Sequence, residues 1–327
     1  MRMNTGMGSR SARRSWIVVL AAAVGLVLTP ARFTPSTAVA AAPSAPTASA
    51  GGSQLYTAHD ASGRVTVTVF RNTSSDAREI WTDQEITVGD DAMVAIGGGA
   101  TAVEYPAGAL LTASYPNDSR TGWIVSAKDH AIKQEYQLTT YVIGLKIAGM
   151  TRDELKNYLV YHDEGRAYGS TPSAASHLDS NTDVLLGGGF RTFWNGWGQL
   201  ATGSYPSGPV EWTASSKDHL HASPGTVQSW AIGIKRNLPV GTIDPYVSRP
   251  AASQRSNHPS STARVEPGFV MTGGGGRVAS DGQGCALWSL DPSIDNSGYQ
   301  TFSVRAKDHA EPGTGITWAW TMGIRLV

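Results

Sequence analysis

Three stretches of the chain carry the same two-residue alternation of apolar and polar positions. In Tyr141-Val142-Ile143-Gly144-Leu145-Lys146, the residues Tyr141, Ile143 and Leu145 fall on one side of an extended chain and Gly144 and Lys146 on the other. Trp230, Ile232 and Ile234 alternate in the same way with Gly233 and Lys235, and Trp320, Met322 and Ile324 with Gly323 and Arg325. Each stretch predicts a half-buried strand with a cationic outer side. Val94-Ala95-Ile96, Val184-Leu185-Leu186 and Val270-Met271-Thr272 predict short apolar strands running into glycines, which supply turn or bulge conformations. One short helix is expected between the first two of the alternating stretches, where Thr151 and Glu154 form a capping-box pair ahead of Leu155, Tyr158 and Leu159. The Ser-, Pro-, Ala- and Asn-rich stretches 163–182 and 241–266 read as connectors carrying an edge strand.

These strands belong to an internal repeat. The first copy runs Gly97-Gly98-Gly99, Ser114-Tyr115-Pro116, Trp123, Lys128-Asp129-His130 and Gly144; the second runs Gly187-Gly188-Gly189, Ser204-Tyr205-Pro206, Trp212, Lys217-Asp218-His219 and Gly233. The third has Gly273 to Gly276, Asp291-Pro292, Phe302, Lys307-Asp308-His309 and Gly323. In every copy the aromatic lies six residues before the Asp and the later Gly fifteen after it, a fixed spacing that chance does not produce. The expected fold is all-β: three tandem homologous sheet modules of about 90 residues, antiparallel, with room for a small β-domain in each copy. The boundaries are 55–150, 151–240 with the leading helix, and 241–327.

Alternation through the segment before each triplet puts Asp129, Asp218 and Asp308 on the face of the aromatic, where an Asp accepts backbone N–H groups and fixes the following turn. Lys128 and His130, Lys217 and His219, and Lys307 and His309 then fall on the opposite face. If exposed, they form either a small donor-rich platform for hydroxyl-rich or anionic groups or a solvated edge that deters sheet pairing. One Asp-His pair per copy lacks the close spacing of a zinc or calcium site, and three histidines converge only if the copies surround a common axis. A His-Asp pair with Ser114 or Ser204 sketches a hydrolytic triad, but the third copy has Leu290 at that position. Trp194 and Trp197, in Phe193-Trp194-Asn195-Gly196-Trp197-Gly198, either present rings suited to sugar faces or pack over the end of the sheet.

Composition narrows the partners. The 26 Lys+Arg balance the 26 Asp+Glu, which excludes the basic surface a nucleic-acid binder needs. Arg2, Arg10, Arg13 and Arg14, the apolar run Trp16 to Leu28 and Ala38-Val39-Ala40 predict a signal peptide over 1–40, followed by a flexible leader over 41–54. Without 1–40 the chain has 21 basic and 26 acidic side chains, a net charge of −5. No later stretch reads as a membrane anchor, and no cofactor is expected. The single Cys285 allows no intramolecular disulfide and reads as a packed thiol.

The order Gly-Gly-Gly, Ser-x-Pro strand, Trp strand and closing Tyr-x-Ile-Gly strand resembles modules of secreted bacterial proteins and phage tail-fibre tips, over roughly 94–147, 184–236 and 270–327. The resemblance implies a compact β-domain at an extracellular surface with carbohydrate as partner; the third copy departs from it at Leu290-Asp291-Pro292. The leading expectation is therefore a secreted, lectin-like protein with repeated weak sites for extracellular or cell-wall glycan, at Lys128, His130, Trp194, Trp197, Lys217, His219, Lys307 and His309. The alternatives are a secreted hydrolase with one site based on Asp218 and His219, and a structural or inhibitory protein that binds another protein.

Overall fold

The computed structural model describes residues 51–105 and 108–327, together with the backbone pairing of Thr47–Ala48. The signal-peptide reading and most of the leader lie outside the described residues. The first copy contains β1 (Thr47–Ala48), β2 (Ser53–His59), β3 (Val65–Thr73), β4 (Ile80–Thr87), β5 (Val94–Thr101), β6 (Leu110–Pro116), β7 (Gly122–Lys128) and β8 (Thr139–Ile147). The second contains α1 (Arg152–Tyr158), β9 (Leu159–His162), β10 (Arg166–Gly169), β11 (Ser173–His177), β12 (Asp183–Phe193), β13 (Leu200–Gly208), β14 (Glu211–Lys217) and β15 (Gly225–Lys235). β16 (Asn237–Leu238) ends the second, and the third contains β17 (Gly241–Val247), β18 (Ala251–Ala252), β19 (Ser260–Arg264), β20 (Val270–Ser280), β21 (Ala286–Ile294), β22 (Gln300–Lys307) and β23 (Gly315–Leu326). The expected all-β class, the antiparallel pairing and the helix are all present, apart from a short parallel contact of β1 with β4. Both halves of the capping box at Thr151 and Glu154 are formed. The stretches read as connectors hold β10, β11, β17, β18 and β19.

No copy closes a sheet of its own. The first sheet runs β1-β4-β7-β6-β12-β15-β10, with β9 also on β15; the second runs β11-β14-β13-β20-β23-β17-β16, with β18 also on β23. The third runs β19-β22-β21-β5-β8-β3-β2. In every sheet the x-x-Pro strand and the aromatic strand of one copy (Ser-x-Pro and Trp in the first two, Leu-Asp-Pro and Phe302 in the third) pair onto the Gly-run and closing strands of another: first with second, second with third, third with first. The three copies thus close a ring. Sequence alternation assigns a face to each side chain but names no partner strand, so a self-contained domain per copy was the simpler expectation.

The glycine runs make this exchange possible. Each Gly-run strand carries a bulge at the same place, between Ala95 and Gly97, Leu185 and Gly187, and Met271 and Gly273. At the first glycines, strands of different sheets meet backbone to backbone: a Cβ on Gly97 would stand 2.8 Å from the Thr272 carbonyl oxygen, and one on Gly273 2.7 Å from that of Leu186. At the second glycines, a Cβ would overlap the buried aromatic of the same copy, Trp123 at Gly98, Trp212 at Gly188 and Phe302 at Gly274. That aromatic belongs to the neighbouring sheet, so its contact with bare backbone sets the spacing between sheets.

The aromatic also explains the Ser-x-Pro motif. The Trp123 indole donates to Ser114 Oγ at 2.8 Å, and the Trp212 indole to Ser204 Oγ at 2.9 Å. Where the third copy has Phe302, with no N–H to satisfy, it has Leu290 in place of the serine. The polar pair is exchanged as a unit for an apolar one. The two serines are therefore engaged in the core, which removes the basis for the triad.

Around Gly144, Gly233 and Gly323 the closing strands differ from the half-buried expectation, because both faces are covered there. Gly144, Gly233 and Gly323 leave room for Met93, Leu178 and Val265, which come from the segments leading into the Gly-run strands. Lys146, Lys235 and Arg325 at the strand ends stay half-exposed, paired with Asp90, Asp183 and Asp244.

Candidate functional site

The three Lys-Asp-His triplets end β7, β14 and β22 and are brought together where the copies meet. The His130 ring centroid lies 4.8 Å from that of His219 and 5.5 Å from that of His309, and His219 and His309 are 6.0 Å apart. All three imidazoles are buried. The expected exposed platform is corrected: the loop that follows the Gly-run strand of another copy covers each lysine, and single-strand alternation cannot see that cover.

Each lysine caps that loop. Lys128 Nζ donates to the carbonyl oxygens of Gly196, Trp197 and Gly198 at 3.0, 3.2 and 2.8 Å, and stands 3.9 Å from the Trp194 ring centroid. Lys217 reaches Ser280 Oγ and the Gln283 and Gly284 carbonyls, and Lys307 reaches the carbonyls of Val103 and Glu104. A ring of carbonyls matches the three protons of an ammonium group. Burial nonetheless pushes the lysines down, Lys128 to about 7 and Lys217 and Lys307 to about 8.

The aspartates fix the next turn as expected. Asp129, Asp218 and Asp308 accept the backbone N–H groups of Gln134, Ser223 and Gly313. Between Asp and that donor, Ala131, Leu220 and Ala310 hold φ of 62°, 63° and 64°. Two of these sites are tight γ-turns, closed by Ile132 N–H on the His130 carbonyl and His221 N–H on the His219 carbonyl, each at 2.7 Å. A non-glycine residue in that conformation is strained, and here the surrounding bonds enforce it three times.

The histidines complete the junction. His130 Nδ1 donates to the Trp197 carbonyl at 2.7 Å, and His309 Nε2 to the His130 carbonyl. Burial, helped by neighbouring histidines and lysines, pushes His130 down to about 4 and His219 to about 3, so both are neutral at pH 7. Among the described residues, no group of His, Cys, Asp or Glu side chains is arranged to hold a metal ion. Of the eight residues expected to bind, Trp197 alone is exposed, at 45%; Trp194 and Lys217 are half-buried and the other five buried. Cys285 is a buried thiol whose pKa burial raises to about 11.

The outer faces of the sheets present different chemistry. Tyr115 on β6 stacks with Trp230 on β15 at 4.8 Å and 23° between ring planes, and Tyr205 on β13 with Trp320 on β23 at 5.3 Å and 21°. Each pair spans the Gly-run strand between them, where Gly189 and Gly275 lie opposite the tryptophans. In the third sheet Asp291 replaces the tyrosine and pairs with Arg305 at 3.2 Å.

Only the second sheet combines such a stack with a further half-exposed Trp. On β23, Trp318 and Trp320 point outward between buried Thr317, Ala319 and Thr321. Exposed Arg277 on β20 lies over Tyr205 at 5.5 Å and over Trp318 at 4.7 Å. Hydroxyls border these rings: Thr202 and Ser215 are 2.9 Å apart, and a Cβ on Gly203 would meet Ser215 Oγ, the Tyr205 ring and Arg277 Cβ. Two-residue alternation hides this face, because it groups Trp320 with Met322 and Ile324 as core. The signal was present in Thr317-Trp318-Ala319-Trp320, where two indoles alternate with small residues.

Neither a family model nor a curated protein sequence matches the chain. No helix among the described residues is long and apolar enough to cross a membrane.

Proposed function

We propose that the chain is an exported carbohydrate-binding protein whose ligand lies on the outer face of the second sheet. The observation that carries this reading is the set of half-exposed Tyr205, Trp318 and Trp320 rings beside Arg277 on one sheet face. Aromatic faces accept the C–H faces of sugar rings, and flanking hydroxyls and guanidinium satisfy sugar hydroxyls with little desolvation. The basic start, apolar run and Ala38-Val39-Ala40 of the sequence support export, where such polymers are met. Trp197 adds one exposed ring at the junction of the copies.

Binding to a panel of soluble and insoluble polysaccharides tests the proposal. Trp320→Ala, with unchanged circular dichroism, is expected to weaken binding about tenfold, the effect of losing one aromatic stacking contact. A wild-type protein that binds no polysaccharide overturns the reading.

A further inference from the structure

The two arginines that follow the Gly runs on the first and second sheets, Arg191 and Arg277, occupy equivalent places but are neutralised differently. Arg191 lies over Tyr115 at 5.2 Å and over Phe193 at 5.1 Å, and it binds the Asp83 carboxylate at 2.9 Å. Asp83 gets there by an irregular step in β4: the pairing of β4 with β7 shifts between Trp81 and Gln84, Asp83 takes φ of 47°, and Ser126 Oγ holds both its N–H and its carboxylate. The second sheet has the arginine without the acid. There β11 pairs regularly with β14, Ser173 lies opposite Ser215, and Ser215 occupies the place of Ser126. Among the described residues, Arg277 has no carboxylate within ion-pair distance.

From this contrast we infer that the second sheet selects a saccharide bearing a carboxylate, a uronic-acid polymer, with Arg277 taking the ligand's carboxylate where Arg191 takes that of Asp83. The inference rests on the carbohydrate-binding reading and names its ligand class. The first sheet carries its own carboxylate and is closed to such a ligand. Arg277 is already oriented by the rings on both sides of it, so little side-chain freedom is lost when a planar carboxylate binds. An Arg–carboxylate contact is a charge-assisted hydrogen bond, stronger than the neutral contact an ester would make.

Oligogalacturonate, its methyl ester and alginate oligomers are titrated calorimetrically into the wild-type protein and its variants. The acids are expected to bind at least about tenfold tighter than the ester, in line with one hydrogen bond to a charged group, and the difference shrinks with added salt. Arg277→Gln removes the difference, the acids losing at least about tenfold more affinity than the ester. Ser215→Asp, which supplies an internal carboxylate, does the same, while Arg191→Gln has no effect on it. Equal binding of acid and ester, an unchanged ratio in Arg277→Gln, or poly-glutamate binding as tightly as the uronates overturns the inference. So does binding confined to neutral polysaccharides, which leaves the carbohydrate reading intact; binding of no polysaccharide overturns both.

Discussion

The Trp–Ser pair of the second copy and its Phe–Leu counterpart in the third make a quantitative prediction. Trp212 is fully buried, its N–H on Ser204 Oγ at 2.9 Å, and Ser204 is itself 2% exposed. Trp212→Phe removes part of a packed ring and leaves the serine oxygen without its donor. The cavity costs about 1–2 kcal/mol and the lost partner about 1 kcal/mol more. Ser204→Leu leaves the indole N–H unsatisfied and crowds the contact, a cost of about 2–3 kcal/mol. The double change reproduces the Phe302–Leu290 chemistry and leaves neither orphan. Urea unfolding of the four proteins should therefore show a favourable coupling of about 1–3 kcal/mol, at the scale found for residues in direct contact. Single changes that add within ~0.5 kcal/mol would refute the claim that the two positions change as a unit.

Lys217→Met should destabilise the protein by about 1.5–3 kcal/mol, the scale of hydrogen bonds to a charged group, and should make the 280–284 loop sensitive to limited proteolysis; an unchanged unfolding midpoint and cleavage pattern would show that the cap is dispensable. Gly188→Ala places a methyl group into Trp212 and should cost about 1–3 kcal/mol or more in chemical unfolding, whereas a neutral effect would mean that the sheets are not in close contact there. His130 at about 4 and His219 at about 3 lie below the ordinary imidazole value of about 6.5, so their contribution is fully present above pH 6.5. It is lost as pH falls from there toward their folded values, because the unfolded chain takes up protons that the fold refuses. Unfolding near pH 5 should thus take up close to two protons from this pair. His219→Gln should flatten the dependence of thermal midpoint on pH between 6.5 and 4.5, and an unaltered slope would place the acid sensitivity elsewhere.

The all-β class, the repeat and the helix cap were legible because each depends on local spacing: two-residue alternation, fixed offsets between Trp, Asp and Gly, and Thr151 three residues before Glu154. The turn-fixing role of Asp129, Asp218 and Asp308 was legible for the same reason. The exchange of strands between copies was not, since Gly98 and Trp123 touch across two sheets whose membership no alternation encodes. The Lys and His positions were assigned to the correct ends of strands but to the wrong environment, because Lys128 is covered by residues 196–198 of another copy. Alternation reads Trp320 as core along with Met322, which shares its side of the strand. Met322 is buried because Gly187 and Gly273 lie against it, and Trp320, two residues away, has no such cover.

The tryptophans offer the most direct test of where a ligand lies. With oligogalacturonate added to the 15N-labelled protein and indole N–H resonances assigned by single Trp→Phe changes, the account predicts that Trp318 and Trp320 shift while the buried Trp123 and Trp212 do not. Shifts confined to Trp194 and Trp197 would place the sugar on the loops at the junction of the copies and contradict it.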